Sequence, residues 1–282
     1  MNTGPSDQGA HEAGALEPIR AGLLHDGVAL VPDLVPADLC ARARCAIDDW
    51  VARFRRGAVR APPPDREQAT GRGLVPIHQH PAFWDVRQYP PLYRLFRALL
   101  GTPFLWTTID EGVHDAPAAS REAGVDDDFT WRVDPRVPGR RLRGMVLLSD
   151  ARADAGAFRC VPHIFRNPEP WWAIHGVKPI PAERIRPERV HSVRGDVGSL
   201  VLWDARLPSG RGANRTNCDR YGMFVAMDEE GDEPRRRERL RNFEEARPPA
   251  WARTLPGQPQ PGSLGTASLS DLGERLLGRR AW

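Results

Sequence analysis

The sequence predicts a mainly β protein, a barrel or sandwich with helices packed outside, and three observations carry that reading. From Phe104 onward, short runs rich in β-branched and aromatic residues recur between Gly, Pro and Asp punctuation, at 104–109, 129–133, 144–148, 157–161, 199–203 and 221–227. Long helical spacing of apolar residues is concentrated in the first hundred positions. The chain of 282 residues is long enough to bury a sizeable core, and an all-β barrel of that length is commonly one domain.

Taken in order, residues 1–17 are Gly-, Pro- and polar-rich and read as a disordered tail, leaving 18–282 as a single domain with helical decorations. Gly27 to Val31 reads as a strand. Leu39, Ala43, Ile47, Trp50, Val51 and Phe54 fall near helical spacing over 38–54, with Pro36 just ahead as an initiation signal. A Pro/Arg-rich loop at 61–66 interrupts the pattern. Pro91 to Leu100 reads as a second helix, ended by Gly101. Beyond the strands, Arg235 to Arg239 lie among glutamates, which predicts a mixed, solvated helix face. Residues 248–261 are Pro-rich and extended, and Leu269 to Leu277 forms a short amphipathic helix that docks back on the body.

Composition narrows the function classes. Forty basic residues are offset by 37 acidic ones for a net charge of +3, so no strong field attracts nucleic acid. Lys178 is the only lysine, which excludes Schiff-base chemistry unless that residue lines a pocket. Cys40, Cys45, Cys160 and Cys218 have neither Cys-x-x-Cys nor zinc spacing. No signal-like or membrane-length apolar stretch occurs, so the expected setting is cytoplasmic, with a small-molecule substrate and no membrane partner.

Four segments carry the chemistry. Phe129-Thr130-Trp131-Arg132-Val133-Asp134 is one. Leu147-Leu148-Ser149-Asp150 followed by Gly156-Ala157-Phe158-Arg159-Cys160-Val161-Pro162 is the second. Gly195 to Pro208, ending immediately before Ser209, is the third, and the stretch from His80 to Pro90 is the fourth. Together with Leu272 to Gly278 they resemble segments of the phytanoyl-CoA dioxygenase family of iron(II)/2-oxoglutarate oxygenases, over nearly the whole chain. The resemblance implies a double-stranded β-helix, the jelly-roll or cupin-like barrel.

It also implies a replaced iron site. In the family, a His-Trp-Asp strand gives a His and an Asp to the metal and a second His follows the penultimate core strand. Here those positions carry Thr130, Arg132 and Ser209. A facial iron site needs two imidazoles and a carboxylate. Arg132 stays protonated and has no lone pair. Iron is therefore expected to be absent, and other histidines offer no substitute: His114-Asp115 is not a His-x-Asp, because strand neighbours face opposite sides.

One cofactor element is retained by register. The family's Arg some eleven residues after the last His binds the distal carboxylate of 2-oxoglutarate, and the count from Ser209 reaches Arg220. A structural ion pair with Asp204 or Asp228 is the other reading of that residue. Arg220, Thr130, Ser209 and Trp131 are thus the expected substrate- or carboxylate-binding set, with 2-oxoglutarate or a similar carboxylate as ligand and no other cofactor. Arg132 would stabilise developing negative charge, and His163, Glu111 or Asp134 would move a proton. Trp171 and Trp172 read as packing or as a lid. The expectation is a metal-independent isomerase, cyclase, lyase or decarboxylase in bacterial secondary metabolism. A silent metabolite-binding or regulatory protein and an oxygenase with unorthodox ligands are the alternatives.

Overall fold

The protein is described here from a computed structural model covering residues 16–56, 73–117, 129–130, 141–176, 178–253 and 263–282. The expectations for residues 1–15, the 61–66 loop, Trp131, Arg132 and Asp134 lie outside the described residues.

The chain enters through a helix over 16–25, α1, so Leu16 and Glu17 are helical rather than part of a tail. Leu16 and Ile19 pack against the main core. Strand β1 (Val28–Val31) follows, then α2 (Ala37–Arg55), whose apolar spacing turns Cys40, Ala43, Ile47 and Trp50 inward. Helices α3 (Pro81–Arg87) and α4 (Pro90–Leu100) each start on prolines, which suit a first turn that needs no N–H. Gly101 ends α4 in the left-handed region at φ 76°.

The strands are β2 (Leu74–Val75), β3 (Leu105–Thr107), β4 (Gly112–Asp115), β5 (Leu142–Leu147), β6 (Phe158–Cys160), β7 (His191–Val193), β8 (Leu200–Asp204), β9 (Ser209–Arg211), β10 (Arg220–Phe224) and β11 (Met227–Glu229). A six-stranded antiparallel sheet runs β1-β8-β5-β10-β4-β2, and a three-stranded one runs β7-β6-β9. This mainly β, helix-flanked arrangement is the jelly-roll type that the sequence predicts. The expected strand 221–227 is in fact two. After Val225 donates to the Gly144 carbonyl, Ala226 donates to Thr108 Oγ1 and the chain crosses to pair β11 with β3.

Strand alternation divides the interior into two compartments. On β8, Leu200 and Leu202 face the core under the helices, whereas Val201 and Trp203 face the second sheet. On β5, Leu142 and Val146 join the helical core, and Met145 and Leu147 the inter-sheet core. The helices cover one face of the large sheet, and the small sheet covers part of the other.

Two buried guanidiniums tie the helices to the sheets. Arg87 donates to the carbonyls of His78 (2.6 Å) and Asp110 (2.8 Å). Arg239, on the helix α7 (Glu233–Glu244), donates to the carbonyls of Thr107, Leu276 and Leu277. The solvated face expected for 235–239 is therefore corrected at Arg239, which points inward and caps the C-terminal carbonyls of α8 (Asp271–Leu277). Burial pulls the Arg239 pKa down to about 9 and that of Arg87 to about 10.

His78 is buried beside Arg87, and burial first, then the Arg87 charge, lowers its pKa to about 3. Its folded pKa lies below the unfolded value, so its contribution is present above pH 6.5 and is lost as pH falls toward 3. Acid titration of wild type between pH 6.5 and 4 is expected to lose up to about 1.4 kcal/mol per pH unit through this residue. In His78→Gln the slope of urea-derived stability against pH should fall by close to one proton, and an unchanged slope would refute the assignment.

Candidate active site

A cavity of about 590 Å³ opens between the sheets, walled by inward residues of β4, β5, β6, β8, β9 and β10. Backbone register determines which chemistry enters it. On β10, Tyr221 and Met223 turn to the helical core, while Arg220 and Phe224 turn to the cavity. On β4, the outward pair is Gly112, where an added Cβ would lie 2.9 Å from Phe83, and His114, whose Nε2 is 3.3 Å from Asp219. The inward pair is Val113 and Asp115. In the antiparallel ladder Arg220 stands directly opposite Asp115.

That register builds a buried ionic cluster. Arg220 Nη1 donates to Asp115 Oδ2 at 2.7 Å, and Arg211 Nη1 on β9 donates to Asp115 Oδ1. Asn214 Nδ2 donates to the Asp115 carbonyl at 2.9 Å. The Asp115 and Arg220 side chains are 1% and 3% exposed, and Arg211 is 19% exposed. Arg220 Nη2 has only the Met145 thioether sulfur at 3.6 Å, and its buried Nε has no hydrogen-bond partner among the described residues. The guanidinium is thus held along one edge by Asp115, and both arginines contribute to the cavity wall.

The partners expected for Arg220 are used elsewhere: Asp204 binds Arg206, and Asp228 lies near Arg143 and Arg235. Gly73 backs the cluster. Its φ is +65°, and an added Cβ would come within 2.7 Å of Asp115 Oδ1 and 2.8 Å of Arg211 Nη1, so the close approach requires glycine.

The structure brings Thr130 and Ser209, the two positions singled out by the resemblance, together. Each donates its amide to the other's carbonyl, at 2.8 and 3.0 Å, and both line the cavity. The Thr130 hydroxyl donates to the Ser209 carbonyl at 3.3 Å. Two neutral hydroxyls do not supply the imidazoles that a facial iron site needs. Among the described residues no three His, Cys, Asp or Glu side chains come together as a metal cage. Glu111 lies on the cavity wall, with Oε2 3.9 Å from His78 Nε2.

His163 is not brought to the cavity. It lies on α5 (Pro162–Arg166), its ring 6.1 Å from that of Trp171 on α6 (Glu169–His175), and burial, Arg189 and Arg166 lower its pKa. Its turn packs against Phe129 and Ile180, outside the cavity wall. Lys178 is exposed, which removes lysine chemistry from the site. Sequence reading missed Asp115 and Arg211. Asp115 was visible only as a neighbour of His114, and its partner lies 105 residues away.

Asp115→Leu is expected to lower stability by about 3–5 kcal/mol, because two guanidiniums lose their counter-charge. Combined with Arg220→Met, the loss should be smaller than the sum of the single losses by at least about 1 kcal/mol. Strictly additive denaturation energies in that double-mutant cycle would show that the pair is not coupled.

The comparisons with known proteins agree with this architecture. The profile of the phytanoyl-CoA dioxygenase family (PhyH) matches residues 23–222. No curated protein matches the chain significantly. Among solved structures, the epimerase SnoN, in complex with Fe3+, alpha ketoglutarate and nogalamycin RO, is 19% identical with a TM-score of 0.56, over 77% of this chain and 84% of that one. AviO1 from Streptomyces viridochromogenes Tue57 is 21% identical with a TM-score of 0.53, over 77% and 94%. SnoK, a non-heme alpha ketoglutarate dependent carbocyclase from nogalamycin biosynthesis, is 14% identical with a TM-score of 0.52, over 88% and 94%. At these identities the likeness is one of fold.

Proposed function

The chain belongs to the phytanoyl-CoA dioxygenase family, and on that premise we propose that it is a metal-independent enzyme acting on a small, carboxylate-bearing metabolite. The reading rests on one observation: Thr130 and Ser209, at the positions where the family places its two imidazoles, face each other across a backbone bridge and offer only hydroxyls to the cavity. The sequence adds Arg132 at the position of the carboxylate ligand. A fixed cation there disfavours Fe(II) and favours an oxyanion.

The chemistry is then of the kind that needs no external oxidant: isomerisation, cyclisation, elimination or decarboxylation. Arg220 and Arg211 hold the substrate carboxylate, Arg132 stabilises negative charge as it develops, and Glu111 gives or takes the proton. Asp134 and Trp131, neighbours of Arg132 in the sequence, remain in this proposal as a second proton carrier and a substrate wall. Fold likeness to an epimerase and a carbocyclase supports the idea that this scaffold hosts rearrangement and ring closure, and suggests a role in secondary metabolism. A binding protein without turnover is the second reading. It is favoured by the place of His163, which leaves the cavity without the one side chain best matched to proton transfer near neutral pH.

Anaerobic loading with Fe(II), followed by metal analysis and a succinate assay with 2-oxoglutarate, is expected to give far less than one iron per chain and no succinate. One tightly bound iron with succinate production would sink the proposal. Arg132→Met should fold with an unchanged melting temperature yet lose ligand affinity or turnover, and Arg132→Lys should restore part of it, because an ammonium lacks the planar fork. Lost stability would instead make Arg132 a structural ion-pair member, and no change in either measurement would make it an unused relic.

A further inference from the structure

We infer, on the proposed reading of Arg220 as a carboxylate seat, that the thioether of Met145 is a placeholder for the ligand's carboxylate. It covers Nη2 of Arg220 and gives way when a carboxylate binds.

Register brings the sulfur to that position. The inward positions of β10 are Arg220, Gly222 and Phe224, and on the neighbouring β5 Met145 stands across from Phe224. Gly222 has no side chain to fill its place between the guanidinium and the ring. Met145 fills it instead: a Cβ added to Gly222 would lie 3.1 Å from Sδ and 3.3 Å from Cγ of Met145. Laid over Gly222, the thioether reaches Arg220 and accepts from Nη2 at 3.6 Å. Met145 and Arg220 both line the cavity, so this contact is made at its wall. The neighbouring inward residues, Leu147 on β5 and Phe224 on β10, carry no acceptor, so the contact is particular to position 145.

Acceptor strength decides which partner yields. A thioether sulfur is a weak acceptor, whereas a carboxylate accepts from a guanidinium through charge-assisted bonds roughly twice as strong as neutral ones. Arg220 keeps its place, because Asp115 Oδ2 holds Nη1 at 2.7 Å where both side chains are at most 3% exposed. Met145 can move. Its side chain is unbranched with three rotatable bonds, and the cavity of about 590 Å³ adjoins it. Until it moves, the sulfur spares Nη2 the penalty of a buried donor without an acceptor. A carboxylate entering Met145→Leu would displace no acceptor and would meet a guanidinium less satisfied beforehand, while the bound state is little changed. Affinity should therefore rise. A methionine that only packs would leave it unchanged, and one that touches the ligand would lower it on replacement.

Titration calorimetry with 2-oxovalerate and 2-oxoglutarate on wild type, Met145→Leu and Arg220→Lys is the test. Leucine nearly matches methionine in volume, so the fold should tolerate it, and lysine keeps a cation opposite Asp115. Both acids are expected to bind Met145→Leu about threefold or more tightly than wild type, the worth of one displaced hydrogen bond. Arg220→Lys should weaken both by about tenfold, because an ammonium lacks the planar fork. A second readout needs no substitution. In protein labelled with 13C at the methionine methyls, the ε-methyl carbon shift of Met145, one of four methionines, follows the torsion at its thioether and should report a new rotamer when either acid is added. Affinity in Met145→Leu equal to or below that of wild type, or a Met145 rotamer unchanged by saturating acid, overturns the placeholder while the loss in Arg220→Lys still marks the seat. If neither acid binds wild type or Met145→Leu, or if Arg220→Lys binds as wild type does, the seat itself is wrong and the inference falls with it.

Discussion

The pairing of β10 with β4 is the contact on which the interior depends. It sets Arg220 opposite Asp115, and the alternation that turns those two inward also turns Tyr221 and His114 outward toward the helices. A one-residue slip would exchange the faces, turning the two charges toward the helices and Tyr221 and His114 toward the cavity. The ionic cluster is thus a register lock as well as part of the cavity wall. Buried pairs of this type contribute little net stability over an apolar replacement, yet they penalise the wrong arrangement strongly.

The same separation of faces explains the two other buried arginines. Arg87 and Arg239 carry charge into the helical side with carbonyl acceptors in place of acids. Guanidinium suits this use because its five N–H groups form a rigid planar fork and because it is weakly hydrated. Each collects chain segments that the hydrophobic effect alone would leave free to slide: His78 with Asp110, and Thr107 with the end of α8. A chain with a single lysine and many arginines has the residue type for such ties.

Much of this was legible in the sequence. The helices at 37–55 and 90–100 and the strands β1, β3, β5, β6 and β8 were visible as periodicity and punctuation. Thr130 and Ser209, singled out through the resemblance, are paired in the structure across 79 residues. Strands β4, β7 and β9 were not visible. Gly112-Val113-His114-Asp115 and Ser209-Gly210-Arg211 carry small or charged residues where a strand signal needs branched ones, because their inward positions serve an ionic wall. The partner of Arg220 was unreadable for the same reason. Composition says that an acid is needed but not which one, and Asp204, Asp228 and Asp115 differ only in register.

The misplacement of His163 points the same way. A histidine next to the Val161-Pro162 pair invites a catalytic reading from sequence, but α5 turns it toward Trp171 and away from the cavity. Position along the chain near a barrel mouth does not determine which face of a short helix a side chain takes. Glu111, by contrast, lies on the wall beside a histidine that burial keeps neutral. A neutral imidazole there puts no positive charge beside the carboxylate. Among the described residues the wall mixes acids with arginines, and what such a wall admits follows from the acids beside its cations as much as from the cations themselves.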